Sequence, residues 1–409
     1  MASLSSNDPK QVVPPSIAGD EPVGPASSVL EPRFGMGDPF TLGVEEEYML
    51  LDGRTLDLVQ HIEAVLAAVS AEEFEGQISG ELMQSVLEIA TPICTGPAEV
   101  ERQLRRLRGY VSQIAATEGM RIGSAGTHPF SLFERQRITA MDRYRSLVDQ
   151  LQYVARRELI FGLHIHVAVD DADKAVQVVN GLLQHLGELV ALSASSPFWR
   201  AQPTGLTSVR QMIAGAGPRS GPPPRFRDYS DYAAVVSRLE RTGCIGDYTE
   251  IWWDVRLQPR LGTIEIRVCD ATTRLEDSVS LSAYCQALVK HYCQLYDEQS
   301  PIPSVHRILT SENKWLAARY GLDAPLVDLS ADSEQRIPAR KLIERTLAKI
   351  APHARELAAD RELDGIREIL AHGNGADRQL HTYAAHQNII DVTAHIADET
   401  NLVPRSPGG

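Results

Sequence analysis

Several stretches of the chain alternate strictly between apolar and polar residues, the period of two that marks a strand. TLGVEEEYMLL (41–51) puts Val44, Tyr48 and Leu50 on one face. FGLHIHVAV (161–169) points Phe161, Leu163, Ile165, Val167 and Val169 one way. EIWWDVRL (250–257) and GTIEIRVCD (262–270) flank a short turn containing QPR and predict a hairpin. SVLEIATP (85–92) is a shorter candidate, stopped by Pro92. Between the strands the period changes to that of a helix. Residues 97–119 place Val100, Leu104, Leu107, Val111 and Ile114 on one stripe that ends at Gly119. Further helices are expected near 141–158, 173–194, 230–242, 275–297, 340–350, 352–371 and 378–398. Strands with segregated helices and an adjacent hairpin predict an α+β protein on a mainly antiparallel sheet.

Residues 1–38 are rich in Pro, Ser, Gly and Asp, lack periodicity, and read as a flexible tail. Residues 401–409 read the same way, leaving 39–400 as one domain. The stretch GAGPRSGPPPRF (215–226) is expected to be a long surface loop within it. Composition narrows the possible functions. Of 409 residues, 43% are hydrophobic and 23% charged, as in ordinary globular proteins. The net charge of −14 argues against a nucleic-acid partner, although a few arginines can still build a local anion site. The absence of an 18-residue apolar run predicts no membrane span. The first twenty residues lack the pattern of a signal peptide. Five cysteines with no CxxC speak against a disulfide scaffold or a zinc ribbon. Cys94 and Cys244, without a placed His partner, are expected to be buried or inert. A cytoplasmic location is the expectation that fits.

The strand period also sorts the charged residues. Glu45 and Glu47 share one face of the first strand, opposite Val44, Glu46 and Tyr48. His164 and His166 share the polar face of their strand, as do Glu265 and Arg267 of theirs. If these faces align in one sheet, the groups converge. Clustered carboxylates must then protonate, be offset by arginines, or bind divalent cations. Mg²⁺ and Mn²⁺ both suit carboxylate oxygens, and a histidine joins Mn²⁺ more readily. An acidic face beside Arg267 therefore suggests a metal-bridged phosphate site. Glu81 and Glu88 are seven apart; Glu81 is expected in a loop or bulge and Glu88 on a strand, so that both face inward. Taken singly, each signal has a plain alternative: a solvated acidic edge, a wet histidine pair, a surface ion pair. Trp252 and Trp253 are expected to divide between cleft and core. The chain carries no GxxxxGK[ST] loop, GxSxG elbow or HExxH helix.

GVEEEY, GELMQSVLEIATP, FGLHIHV, LSASSPFW, TSVR, WWDVR and GTIEIRV occur in the order seen in the glutamate–cysteine ligase type 2 family. More narrowly, the chain resembles the YbdK-like ATP-dependent carboxylate–amine ligases, from about Thr41 to about Thr400. The resemblance implies a fold like the catalytic domain of glutamine synthetase: a curved, mainly antiparallel sheet with helices packed outside. It implies ATP with Mg²⁺ or Mn²⁺. Glu45, Glu47, Glu81, Glu88 and Glu265 match the family's acidic metal ligands, and His166 matches a metal- or nucleotide-contacting histidine. Arg267 matches the arginine near the transferred phosphoryl group, making it, Glu47 and Glu265 the implied catalytic residues. Arg210, Arg256 and His164 fall in motifs implied to meet phosphate or substrate carboxylate. The implied partners are a small carboxylate, most simply glutamate, and an amine; a homo-oligomer is compatible with this. A kinase on the same fold that stops at a phosphorylated product, or a Mg-ATP sensor without catalysis, are the competing readings.

Overall fold

The computed structural model describes residues 31–70, 74, 77–329 and 335–401. Seven strands form one antiparallel sheet: β1 (Leu42–Asp52), β2 (Ile78–Gly80), β3 (Val86–Ala90), β4 (Met120–Gly123), β5 (Gly162–Ala168), β6 (Val255–Gln258) and β7 (Thr263–Asp270). Their order is β6-β7-β5-β1-β3-β2, and β4 pairs with the end of β1. β1 is the hub. Its first residues pair with β5, its middle with β3, and Met49–Asp52 with β4. The expected hairpin forms between β6 and β7, with Arg256 opposite Glu265.

Helices cover one face of the sheet. They include α1 (Pro97–Thr117), α3 (Ala172–Leu182), α4 (Leu186–Ser193), α5 (Leu275–Asp297), α6 (Arg307–Tyr320), α7 (Ala339–Glu356) and α8 (Asp360–His372), whereas α2 (Asp142–Leu151) packs with Met49, Leu51 and Val86 in a second cluster and lines the cleft. Proline at the first position of α1 suits a helix start, because its missing N–H has no intrahelical partner there. Gly119, at φ +69°, lets the chain leave α1 and enter β4. α5 is buried along almost its whole length and packs on α1, α3, α7 and α8. Val44, Tyr48, Leu163, Ile165, Val167, Ile264 and Ile266 join this helical layer in the main core.

Several boundaries differ from the sequence expectation. The helix expected over 141–158 breaks at Gln152, where φ is +50°. That over 173–194 splits into α3 and α4, and that over 378–398 into Gly375–His386 and Ile389–Thr400. In contrast, α7 runs through Pro352. α6 was not foreseen. Its apolar positions are few, and the buried face carries Thr310, Asn313 and Lys314 instead. The 215–226 stretch is not wholly loop: Ser220–Gly221 pairs in parallel with Trp252–Trp253. Of the N-terminal segment, Arg33 and Gly35 hydrogen-bond the carbonyls of Pro259 and Val169. Residues 1–30 and 402–409 lie outside the described residues. Cys94 is buried, whereas Cys244 is exposed.

One polar contact crosses the helical layer. Glu46, 1% exposed, meets Arg108 of α1, which is 0% exposed. Arg108 Nη2 lies 2.6 Å from Glu46 Oε1, and its Nε lies 2.9 Å from Oε2, a bidentate pair. Arg108 also donates to the carbonyls of Thr273 and Thr272. Tyr48 and Ser278 donate to the same carboxylate. Burial alone would raise the Glu46 pKa, but Arg108 beside it holds the carboxyl below its usual range. Removing one partner leaves an uncompensated buried charge. Arg108→Met should therefore cost about 3–5 kcal/mol of stability in denaturant titration, and E46L/R108M should recover part of it. A loss under about 1 kcal/mol for the single variant would contradict this role.

Candidate active site

Strand register decides which side chains meet. Directly opposed residues in an antiparallel pair point to the same side. Glu47 lies opposite Glu88, Glu45 opposite His164, and Glu265 opposite both His166 and Arg256. Five strands thus lay one band of ionisable groups across the face of the sheet away from the main core. Glu81 follows β2 in a loop and lines the same cleft, while Glu88 sits on β3. The register of β7 against β5 shifts between Ile266 and Cys269. Such irregularities re-aim side chains near active sites. Here Arg267, inside the shift, reaches back to Glu265 and its N–H donates to the Asp254 carbonyl.

The contacts within the band are close. His164 Nδ1 is 3.1 Å from Glu45 Oε2, and His166 Nε2 is 3.4 Å from Glu45 Oε1. The Gly162 N–H donates to Glu47 Oε2 at 2.6 Å. Glu265 accepts from Arg256 Nε at 2.7 Å, and from Arg267 and Gln258. Arg256 also donates to the carbonyls of Thr249 and Ile251, so its guanidinium is committed to holding Glu265 and the neighbouring loop. Arg210 donates to the carbonyls of Val268 and Arg267 at 3.3 Å, beside the buried Asp270. Asp270 in turn accepts from Ser196, Ser208 and Gln211.

The electrostatics divide the acids. Burial pushes Glu47 up to about 7, helped by Glu81. Burial and the charges of Glu81, Glu45 and Glu47 hold Glu88 well above the usual carboxylate range. Glu81 is raised as well, first by burial. Burial would raise Glu45 and Glu265 too. Hydrogen bonds to both histidines bring Glu45 down, and Arg267 and Arg256 bring Glu265 well down. Burial and the nearby Arg267 charge lower His164 to about 4, leaving a neutral imidazole at neutral pH. His166 is raised, because Glu265 and Glu45 outweigh burial.

Two sets of donor atoms each lie within 4.8 Å of one another: Glu45, Glu88 and His164, and Glu45, His166 and Glu265. They share Glu45. His166 Nε2 is buried and faces Glu45 Oε1 at 3.4 Å. A buried imidazole nitrogen among carboxylates is a donor set that fits a divalent cation. The band opens into a cleft of about 920 Å³. A smaller chamber of about 240 Å³ shares Glu47, Glu81, Tyr144, Leu147, His164, Trp252 and Arg267 with it. Trp253 is buried, and the half-buried Trp252 lines both spaces.

All ten residues singled out from the sequence border one or both of these spaces. Sequence reasoning passed over Glu46, Tyr144, Glu158 and the Asp254–Lys314 ion pair, whose atoms lie 2.6 Å apart. Tyr144, Glu158 and Lys314 belong to no motif, while Glu46 of GVEEEY and Asp254 of WWDVR lie inside quoted motifs that gave them no role. Arg108 did carry a signal, because it interrupts the apolar stripe between Leu104 and Val111 and so calls for a buried acid.

Solved structures share this fold. The chain matches the glutamate–cysteine ligase of Francisella tularensis, solved in complex with AMP, over 90% of each chain with a TM-score of 0.63 and 13% identity. It matches a bifunctional glutathione synthetase from Pasteurella multocida over 89% of this chain and 52% of that one, with a TM-score of 0.66 and 15% identity. The antiparallel sheet, outer helices and acid-lined cleft share the fold of these glutamate–cysteine ligase and glutathione synthetase structures. The sequence narrows the class. The profile of Glutamate-cysteine ligase family 2 (GCS2) matches residues 41–395. A Rubrobacter xylanophilus protein provisionally named glutamate–cysteine ligase 2-1 is 43% identical over 369 residues, covering 90% of this chain and 97% of that protein. A Solibacter usitatus protein provisionally named glutamate–cysteine ligase 2 is 38% identical over 360 residues, covering 88% and 93%. The chain belongs to glutamate–cysteine ligase family 2 and is an ATP-dependent carboxylate–amine ligase.

Gly162 shows how tightly the site is packed. A Cβ there would fall 2.6 Å from Arg210 Nη2 and 2.8 Å from His164 Nε2. Gly162→Ala must move both side chains, and a misplacement of about 1 Å can cost roughly a hundredfold in rate. Ligase turnover should fall by about that factor. Wild-type turnover in this variant would contradict the packing described.

Proposed function

We propose that the protein couples a carboxylate, most simply the γ-carboxylate of glutamate, to an amine through an acyl phosphate. One carboxylate oxygen attacks the γ-phosphorus of ATP in line, and ADP leaves. The amine nitrogen then attacks the acyl carbon, the carbon–oxygen bond to phosphate breaks, and the nitrogen loses a proton. The products are an amide, ADP and phosphate. The observation that carries this reading is the register itself, which gathers Glu45, Glu47, Glu88 and Glu265 on one face beside Arg267.

The residues of this chain divide the work. Glu45, Glu88 and His164, and Glu45, His166 and Glu265, would hold Mg²⁺ or Mn²⁺, with Glu47 and Glu81 at the cleft's inner edge. Such cations, when bound, supply charge neutralisation at phosphate oxygens. The two histidines make Mn²⁺ a good fit. Arg267 is 21% exposed at its side chain and can offset charge on the transferred phosphoryl group. Arg256 and Gln258 hold Glu265 in place from behind. The larger cleft has room for a nucleotide, since pockets of about 300–1,000 Å³ take drug-sized ligands.

The experiment is an ADP-release assay with candidate acids and amines in Mg²⁺ and Mn²⁺. Amide formed in step with ADP and free phosphate supports the reading, whereas a stable phosphorylated product points to a kinase. Glu47→Gln and Glu265→Gln should each nearly abolish turnover while leaving the circular dichroism spectrum intact. Retained turnover in both would count heavily against the assignment. Chelation of divalent ions should stop the reaction, and added Mn²⁺ or Mg²⁺ should restore it. Full activity in excess chelator would contradict the cation-holding role.

A further inference from the structure

The smaller chamber has a different character from the cleft it adjoins. At about 240 Å³ it is below the size of a nucleotide pocket and suits one small molecule. Much of its wall is apolar: Leu82, Met83, Leu147, Leu151, Val154 and Ile160. Five of its charged residues have partners. Glu47 accepts from Gly162, Glu81 from Leu82, Asp254 pairs with Lys314, Arg267 with Glu265, and Arg210 donates to carbonyls. Glu158 differs. Among the described residues its carboxylate has no hydrogen-bond or ion-pair partner, although it lines the chamber.

A carboxylate left without a hydrogen-bond or ion-pair partner in a largely buried chamber either takes up a proton or is met by a cation that a ligand supplies. Burial already pushes Glu158 up to about 7, against the pull of Arg210 and Arg157. Arg210 lines the same chamber, and its Nε is buried without a partner. The chamber therefore offers an acid and a base of opposite sign beside an apolar wall. A zwitterion with an apolar side chain satisfies all three.

We propose that the smaller chamber is the subsite of the amine substrate, and that it selects an α-amino acid with an apolar side chain, its carboxylate on Arg210 and its ammonium on Glu158, which takes up the proton that frees the nitrogen to attack. This rests on the ligase reading above and adds the identity of the second substrate. The mouth of the chamber is where the acyl group must be met, because Glu47, His164 and Arg267 line both spaces. The acid substrate needs little of the apolar wall, since glutamate brings only two methylenes to it. Cysteine, small and thiol-bearing, leaves most of that wall uncovered.

The test uses the full-length enzyme with Mg-ATP and glutamate, and compares leucine, phenylalanine, cysteine and isobutylamine as the amine. Hydroxylamine, which traps an acyl phosphate as a hydroxamate without needing the wall, is run in parallel. Leucine and phenylalanine should exceed cysteine and isobutylamine in kcat/KM by about tenfold or more. Glu158→Gln should lower kcat/KM for leucine about tenfold relative to that for hydroxylamine. Leu151→Phe, which narrows the chamber and does not line the cleft, should shift preference from phenylalanine toward alanine, added to the panel for this variant. Equal use of cysteine or isobutylamine would overturn the proposal. So would an unmoved leucine-to-hydroxylamine ratio in the Glu158 variant, or a rise confined to the KM for glutamate. Hydroxamate formation alongside any of these outcomes leaves the acyl-phosphate reading standing. Its absence with glutamate sinks that reading, and the subsite with it.

Discussion

Repulsion among buried carboxylates is the constraint around which this molecule is built. Glu45, Glu47, Glu81, Glu88 and Glu265 border one cleft, and burial disfavours charge on every one of them. Protein groups compensate only part of it. Two arginines neutralise Glu265 and two histidines stabilise Glu45, while Glu47, Glu81 and Glu88 are left with raised affinity for protons. A fold that keeps three such groups together is strained electrostatically unless something positive joins them. Catalysis by electrostatic preorganisation asks for that state: charges fixed in advance where a phosphoryl group will carry its own.

The opposite face of the same strand supplies the rigidity. Glu45 and Glu47 point to the cleft, and Glu46 between them is locked to Arg108 and α5 through Ser278. A one-residue slip of β1 would exchange these faces, burying Glu45 and Glu47 in the helical core. The bidentate pair with Arg108 makes that slip prohibitive, so the ion pair serves register as much as stability. Gly162 and the β7 irregularity perform a similar service at the neighbouring strands, setting how near His164, Arg210 and Arg267 stand.

Much of this was legible from residue order, for a physical reason. A strand's period of two is local, so the shared faces of Glu45 with Glu47, and of His164 with His166, follow from sequence alone. Strand order and register are not local. That Glu45 meets His164, or that Glu88 meets Glu47, depends on pairings between distant segments. Glu81 is positioned by a loop and Arg267 by a register shift, neither of which has a period. Helix ends at Gln152 and the whole of α6 escaped for the same reason: α6 is held by buried polar contacts such as Lys314 with Asp254, which no apolar stripe announces. Glu158 belongs to no motif, and only the folded chamber places it on a wall.

Glu45 belongs to both donor sets, so direct measurement of cation binding tests the account at its centre. Mn²⁺ titration of the purified protein, followed by electron paramagnetic resonance and calorimetry, should reveal two ions per chain, one for each set. Glu45→Gln should weaken both together. Tight Mn²⁺ binding that survives this substitution, or no binding by the native protein, would contradict the claim that the sheet gathers its acids to hold cations.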